Sequence, residues 1–153
     1  MIQVTPLQMA QLVSLIAMDG SAPQFHLVKK TSSEDSFDVR YSAVSYKTTG
    51  IPKDVFSVVK EGMRLAVRGG TASALSGLGV SVAGKTGTAE IGFGKTVNSW
   101  FIGFLPYENP QIALAIVLEG GSAKNLVGAP FVAQGVVSWL VANRSEYFVV
   151  PTP

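Results

Sequence analysis

Apolar residues recur at helical spacing in three separate segments of the chain. The first segment predicts a helix over residues 6–19, with apolar positions at Met9, Leu12, Val13 and Ile16. Thr5 can cap this helix, Pro6 suits its first position, and Gln8 lies where a capping box requires it. Gly20 is the expected end signal. The chain therefore opens with a well-delimited helix.

Two further helices are predicted, one from Pro52 to the Gly69-Gly70 pair and one over residues 129–141. The expected buried stripe of the earlier helix consists of Val55, Val58, Val59, Met63 and Ala66. The expected buried stripe of the later helix consists of Phe131, Val132, Val136 and Leu140. Residues 71–79 are rich in Ser, Ala and Gly and predict a loop.

Alternating apolar and polar residues predict the strands. Residues 25–28 favour a short strand, and a half-buried strand is expected where Phe37, Val39 and Tyr41 alternate with polar residues. Three longer strands are predicted over residues 82–90, 98–105 and 112–119. Because the turns between these three are short, adjacent antiparallel pairing is expected. The pattern therefore predicts an α+β fold in which an antiparallel sheet packs against helices.

Composition narrows the function classes. The chain has 153 residues, enough for one domain with a hydrophobic core, but 47% are apolar and only 14% are charged. A large core, or a fragment whose surface faces another part of the same protein, would explain this balance. The net charge is +2 with scattered basic residues, so no nucleic-acid partner is expected. Cysteine is absent and His26 is the single histidine, which excludes disulfides, thiolate catalysis and a His-rich metal site. We expect His26 on a surface strand.

Residues 79–86 match the phosphate-loop pattern G-x-x-x-x-G-K-[ST]. A phosphate loop also requires a hydrophobic strand before it and a helix that starts at the lysine. The preceding residues 74–78 make a poor strand, and three glycines follow Lys85 within ten residues, which disfavours a helix. A nucleotide-binding enzyme therefore stays the less favoured alternative.

Ser57 and Lys60 match S-x-x-K, the serine-lysine pair of serine acyltransferases. A spacing of three places both side chains on one helix face. A pair on the solvated side of the helix is the favoured interpretation, because Val58 and Val59 belong to the expected apolar stripe.

Small residues surround a single lysine, Lys85, in the strand predicted over residues 82–90. Glycine weakens a strand and often marks the close approach of a ligand or another backbone. Lys85 could neutralise a carboxylate while Thr86 and Thr88 offer hydroxyl groups, and an open strand edge could pair with an extended peptide. Alternatively, Lys85 protects an edge strand against aggregation. The pattern alone leaves both interpretations open.

The run Lys85-Thr86-Gly87-Thr88 resembles the K-T-G motif of the penicillin-recognising serine acyltransferases. Further matches follow the order seen in class B penicillin-binding proteins, at residues 5–10, 61–63, 70–72, 83–90 and 100–104. The resemblance covers nearly the whole chain and is weakest at residues 21–50. Residues 106–110 are more similar to the elongation type than to the division type. The implied fold is part of the penicillin-binding transpeptidase/β-lactamase-like fold.

The resemblance implies a two-step acyl transfer that cross-links peptidoglycan stem peptides. The acyl group is carried by a serine, and β-lactams acylate the same serine. Lys85 would neutralise the substrate carboxylate and tune proton transfer, and the hydroxyls of Thr86 and Thr88 would hold that carboxylate. The backbone N–H of Thr88 would be one oxyanion donor. Gly87 would let the substrate lie against the strand. No cofactor or metal is implied.

The resemblance also implies that two motifs of the family lie outside these residues. In the family, the nucleophilic serine motif and an S-x-N motif both precede the segment similar to residues 5–20. We therefore interpret residues 1–153 as the C-terminal portion of a single transpeptidase domain, with a tail at 144–153, inactive alone. Asn98 stands where a histidine or a similar group is expected.

The partners and location follow from the same interpretation. The missing N-terminal half would complete the sheet, and the strand at residues 112–119 would otherwise expose an edge that invites a second copy of the chain. The parent protein would be anchored in the bacterial membrane, facing the periplasm, by a segment outside these residues, because the longest apolar run, at 112–118, is too short to span a bilayer. A non-catalytic module of the same fold, binding peptidoglycan or a partner protein, stays the alternative.

Overall fold

The computed structural model describes residues 3–28, 30–33, 36–41, 45–91, 95–124 and 127–148. Within these ranges the elements follow one another as α1 (Pro6–Ala17), β1 (Ser21–Pro23), β2 (Lys30–Ser33), β3 (Ser36–Tyr41), β4 (Tyr46–Thr48), α2 (Lys53–Gly69), β5 (Ala83–Ile91), β6 (Thr96–Leu105), β7 (Ile112–Ser122) and α3 (Ala129–Asn143). Helices and antiparallel strands both contribute, which confirms the predicted α+β class.

The start of α1 follows the predicted capping box. The Gln8 backbone N–H donates to Thr5 Oγ1 at 3.2 Å, and the Thr5 N–H donates to Gln8 Oε1 at 2.8 Å. The helix ends at Ala17, two residues earlier than predicted, because Asp19 (φ 53°) and Gly20 (φ 88°) adopt left-handed backbone conformations. A Cβ at Gly20 would lie 2.7 Å from the Phe56 ring, so the turn also brings α1 close to α2.

The main sheet has the order β5-β6-β7, and both pairs are antiparallel, as predicted. Each strand agrees with its predicted range to within a few residues. Among the strands described, β5 and β7 form the two outer edges of this sheet. The register pairs Lys85 with Ile102, Thr86 with Phe101 and Thr88 with Ser99.

Two hydrophobic cores lie on opposite faces of the sheet. On one face, α1 packs against β6 through a core of Val13, Ala17, Met63, Ala83 and Phe104. On the other face, α3 covers a larger core of Val67, Ala72, Leu75, Val82, Phe101, Leu105, Ala129, Ala133 and Val137. Helix α2 contributes Met63 to the first core and Val67 to the second, so it lies beside the start of β5.

The Phe101 ring fixes how β5 and β6 meet. Gly84 and Gly103 are direct partners across the two strands. A Cβ at Gly84 would lie 2.5 Å from the Phe101 ring, and a Cβ at Gly103 would lie 2.8 Å from it. The ring is fully buried and occupies the space that two side chains would otherwise fill.

The predicted apolar stripes of α2 and α3 are largely wrong. Helix α2 buries Phe56, Met63 and Val67, while the predicted Val55, Val58 and Val59 are 46%, 74% and 40% exposed. Helix α3 buries Ala129, Ala133 and Val137, while the predicted Phe131, Val132 and Val136 are exposed. The Ala129 N–H donates to Ser99 Oγ at 2.9 Å, so α3 begins in contact with β6, and its buried face carries Ala129, Ala133 and Val137.

The segment between α1 and α2 forms two small antiparallel ribbons, β1 with β4 and β2 with β3. The strand predicted around residues 37–41 is confirmed as β3. The strand predicted at residues 25–28 is wrong, because the Gln11 side chain bonds the Pro23 carbonyl (2.9 Å) and the Phe25 N–H (2.8 Å) in place of a strand partner. His26 is exposed, as expected, but lies in this irregular segment.

The predicted tail begins with a short 3-10 turn at Ser145–Tyr147. Phe148 then packs against the larger core. Residues 149–153 lie outside the described part of the chain.

Gly84→Ala is expected to lower the free energy of unfolding by about 1–3 kcal/mol, because the new methyl group overlaps the buried Phe101 ring. Urea denaturation of the chain measures this. Gly62→Ala is the matched control, since Gly62 lies in α2 with nothing within 4 Å of its Cβ position. It should raise stability by about 0.4–1 kcal/mol. Equal changes in the two variants would contradict the role given to Phe101.

Candidate functional site

The run Lys85-Thr86-Gly87-Thr88 lies in β5, at the outer edge of the sheet. Lys85 and Thr88 are exposed, and Thr86 and Gly87 are half-buried. Since side chains alternate along a strand, Lys85 belongs to the α1 face and Thr86 and Thr88 belong to the α3 face. The Lys85 Nζ donates to the Thr86 carbonyl at 2.7 Å, so the ammonium folds back onto its own strand.

A cleft borders this run on each face of the sheet. On the α1 face, a cleft of about 260 Å³ is lined by Lys85, Gly87 and Trp100, together with Val4 and Met9. On the α3 face, a cleft of about 610 Å³ is lined by residues that include Thr71, Thr86, Thr88, Ser99 and Phe131. Thr86 and Gly87 border both clefts. An extended ligand along the outer edge of β5 would therefore meet an ammonium group on one side and hydroxyl groups on the other.

The loop after α2 places one more hydroxyl at the site. Thr71 Oγ1 lies 2.7 Å from Thr86 Oγ1, within hydrogen-bond distance. Residues 70–72 belong to the family resemblance, but no role for them was expected from the sequence. The signal that could have found Thr71 is its position after the Gly69-Gly70 pair, where the chain turns towards β5.

Arg64 of α2 anchors the start of β5. Its Nη1 donates to the Val82 carbonyl at 2.9 Å, directly before the strand begins. The guanidinium carbon lies 5.8 Å from the centre of the Tyr107 ring, a cation–π contact. The Tyr107 hydroxyl donates to Glu61 Oε2 at 3.0 Å. Together these contacts tie α2 to β5 and to the turn after β6, and sequence reasoning missed both Arg64 and Tyr107.

Two groups near this anchor have shifted pKa values. Burial raises the pKa of Tyr107, and its hydrogen bond to Glu61 and the charge of Glu61 raise it further. The hydrogen bond from the Ser81 hydroxyl lowers the pKa of Glu108. The Tyr107 N–H also donates to Ser81 Oγ at 2.9 Å. The turn after β6 is thus held to Ser81, which precedes β5, through the backbone N–H of Tyr107 and the carboxylate of Glu108.

The side chains of the S-x-x-K pair, Ser57 and Lys60, bond to other residues. Ser57 is exposed and its hydroxyl donates to the Lys53 carbonyl at 3.4 Å. The Lys60 ammonium forms an ion pair with Asp19 at 2.6 Å, at the end of α1. The described contacts of the two side chains lead to different partners, as expected for a pair without catalytic chemistry.

The phosphate-loop alternative is wrong. Lys85 and Thr86 lie inside β5, whereas a phosphate loop needs a helix N-terminus at that point. Within the described ranges, no group of three or more His, Asp or Glu side chains is placed to hold a metal ion.

Asn98, which the resemblance singled out, accepts from the Gly120 N–H at 3.0 Å beside an irregularity in the β6–β7 register.

One protein family matches most of the chain. The family described as "Penicillin binding protein transpeptidase domain" matches residues 2–135. The chain therefore belongs to the penicillin-binding protein transpeptidase family.

Two of the curated relatives are named peptidoglycan D,D-transpeptidases. The chain is 29% identical over 123 residues to peptidoglycan D,D-transpeptidase PbpA of Mycolicibacterium smegmatis, covering 78% of this chain and 25% of the relative. It is 30% identical over 145 residues to peptidoglycan D,D-transpeptidase MrdA of Acinetobacter baumannii, covering 83% of this chain and 22% of the relative. The chain thus spans about a quarter of the length of these relatives.

Solved structures confirm the fold. The D,D-transpeptidase domain of a peptidoglycan glycosyltransferase from Eggerthella lenta superposes with a TM-score of 0.79 at 30% identity, covering 94% of this chain and 33% of that one. Penicillin-binding protein A of M. tuberculosis, solved as an imipenem acyl-enzyme complex, gives a TM-score of 0.74 at 27% identity, covering 90% of this chain and 31% of that one.

Arg64→Ala is expected to lower the free energy of unfolding by about 1.5–3 kcal/mol, because it removes a hydrogen bond from a charged group to the Val82 carbonyl. Thermal and urea denaturation measure the loss. Arg68→Ala is the matched control on the exposed last turn of α2 and should stay within about 0.5 kcal/mol of the unchanged chain. If both variants behave alike, Arg64 does not anchor β5.

Proposed function

We propose that this chain is the C-terminal portion of a peptidoglycan D,D-transpeptidase domain, which cross-links stem peptides by serine acyl transfer and is acylated by β-lactams. The observation that carries the proposal is the placement of the Lys-Thr-Gly-Thr run at an outer strand edge, between two clefts. Family membership and D,D-transpeptidase relatives support it. The acylated relative in the solved structures supports β-lactam binding.

Each residue of the run receives a role in this proposal. Lys85 exchanges its contact with the Thr86 carbonyl for the substrate carboxylate and helps tune proton transfer. Thr86 and Thr88 bind that carboxylate through their hydroxyls. The Thr88 backbone N–H stabilises the oxyanion, a contribution worth roughly a hundred- to thousandfold in rate. Gly87 leaves the strand surface open to the substrate backbone, since its half-buried position carries no side chain.

The nucleophilic serine and the S-x-N motif are supplied by a part of the domain outside these residues. The short coverage of the relatives supports this. Apolar side chains exposed on the helices also support it, because a large apolar surface normally meets another protein surface; they include Val58, Leu65, Phe131 and Trp139. The outer edge of β7 would pair with a strand of the missing half or, in its absence, with a second copy.

The site of action is the outer side of the bacterial membrane, where peptidoglycan is assembled. In the part of the chain that the structure describes, no helix is long and apolar enough to cross a membrane.

The chain alone is expected to gain no mass on incubation with a reactive penicillin, whereas the complete transpeptidase domain of the same protein should gain one β-lactam. Intact-mass spectrometry measures both. An adduct on the chain alone, mapped to Ser57, would make the S-x-x-K pair the true nucleophile and overturn the proposal. A complete domain that folds but gains no mass would favour the non-catalytic binding module.

Lys85→Ala in the complete domain is expected to slow acylation by roughly ten- to hundredfold, because a charge-assisted contact to the substrate carboxylate is lost. The measurement is the second-order rate constant for a fluorescent penicillin. Lys47→Ala, at an exposed position of β4, is the matched control and should react normally. Unchanged acylation of the Lys85 variant would remove Lys85 from the site.

A further inference from the structure

We propose that Thr71 is a positioning residue: its hydroxyl donates to Thr86 Oγ1 and thereby directs the Thr86 proton towards the carboxylate of a bound stem peptide or β-lactam. The inference rests on the proposed function and deepens it, because it extends carboxylate recognition to a residue outside the Lys-Thr-Gly-Thr run.

The Thr71–Thr86 contact has the usual length of a hydrogen bond and joins two parts of the chain that are distant in sequence. Thr71 and Thr86 lie fifteen positions apart, and their hydroxyl oxygens are 2.7 Å apart, the usual distance for an O–H···O hydrogen bond. Either oxygen could be the donor by geometry. Both residues line the larger cleft together with Thr88. The Thr71 hydroxyl therefore lies next to a group that is proposed to bind the carboxylate.

The backbone on both sides of Thr71 is fixed. The N–H groups of Gly70 and Ala72 both donate to the Ala66 carbonyl of α2, at 3.1 and 3.0 Å. A Cβ at Gly70 would lie 2.9 Å from Ala66 backbone atoms, so only glycine allows this close turn. Ala72 is fully buried in the larger core. Thr71 is thus an exposed side chain on a tightly held loop, as a positioning residue requires.

The donors and acceptors of the three groups determine the direction of the Thr71–Thr86 hydrogen bond when substrate is bound. A hydroxyl has one proton and two lone pairs, and an ionised carboxylate can only accept. If Thr86 donates its single proton to the carboxylate, it can only accept from Thr71. If Thr86 donated to Thr71 instead, a lone pair would face the negative carboxylate. The two hydroxyls therefore form a chain that ends at the carboxylate, and each bond polarises the next.

The test uses the complete transpeptidase domain and two substitutions of similar size. Thr71→Val keeps the shape of the side chain but removes the hydroxyl, while Thr71→Ser keeps the hydroxyl. Each variant reacts with a penicillin and with the methyl ester of the same penicillin, which lacks the negative carboxylate. The second-order acylation rate constant is measured for both compounds.

Thr71→Val should slow acylation by the free acid roughly five- to thirtyfold and leave the slower reaction of the ester nearly unchanged. Thr71→Ser should restore the rate with the acid. Thr48→Val, at an exposed position of β4, is the matched control and should react normally with both compounds.

Normal reaction of Thr71→Val with the free acid overturns the inference but leaves the proposed function intact. Equal slowing with acid and ester also overturns it, because Thr71 would then act only on the structure of the loop. If the unsubstituted domain reacts with neither compound, the proposed function itself fails. Should Thr71→Val melt at a lower temperature, Thr71→Ala serves as the second variant, and the acid-to-ester ratio remains the deciding quantity.

Discussion

One buried ring sets the geometry on which the rest of this structure depends. Phe101 lies over Gly84 and Gly103, which face each other across β5 and β6, and a side chain at either glycine would overlap the ring. A shift of one residue would reverse the face on which every side chain of β5 lies. The ring therefore holds Lys85 on the α1 side of the sheet and Thr86 on the α3 side.

The contacts of α2 position the start of β5 and the loop that carries Thr71. Arg64 bonds the carbonyl just before β5, so α2 covers the start of the strand and leaves the edge beyond it open. The same helix ends in the tight Gly70 turn that brings Thr71 to Thr86. The rigid parts of the fold thus lie at the beginning of β5, whereas the exposed groups lie further along it. Under the proposed function, this strand edge is where an extended peptide binds.

The exposed surfaces fit the proposal that these residues are one portion of a larger domain. Apolar side chains on α2 and α3, and the outer edge of β7, are surfaces that a complete domain would cover. The chain also spans only about a quarter of its curated relatives. Under the proposed function, the hydroxyl and ammonium groups lie along the edge of one strand and the nucleophile comes from another part of the domain, so both parts must be assembled. This is why the chain by itself is proposed to be inactive.

The sequence by itself determined the three helices, the three long strands of the main sheet and the family. Local signals suffice for these: the Thr5 capping box, the alternation in β6 and the small residues around Lys85 each act within a few positions. Contacts between distant positions were decided only by the tertiary structure. The buried faces of α2 and α3 were mispredicted, because the face that a helix buries depends on how it packs against the rest of the fold: α2 buries Phe56 and Val67, and α3 buries Ala129 and Ala133. The Thr71–Thr86 contact joins two segments whose distance no local pattern encodes.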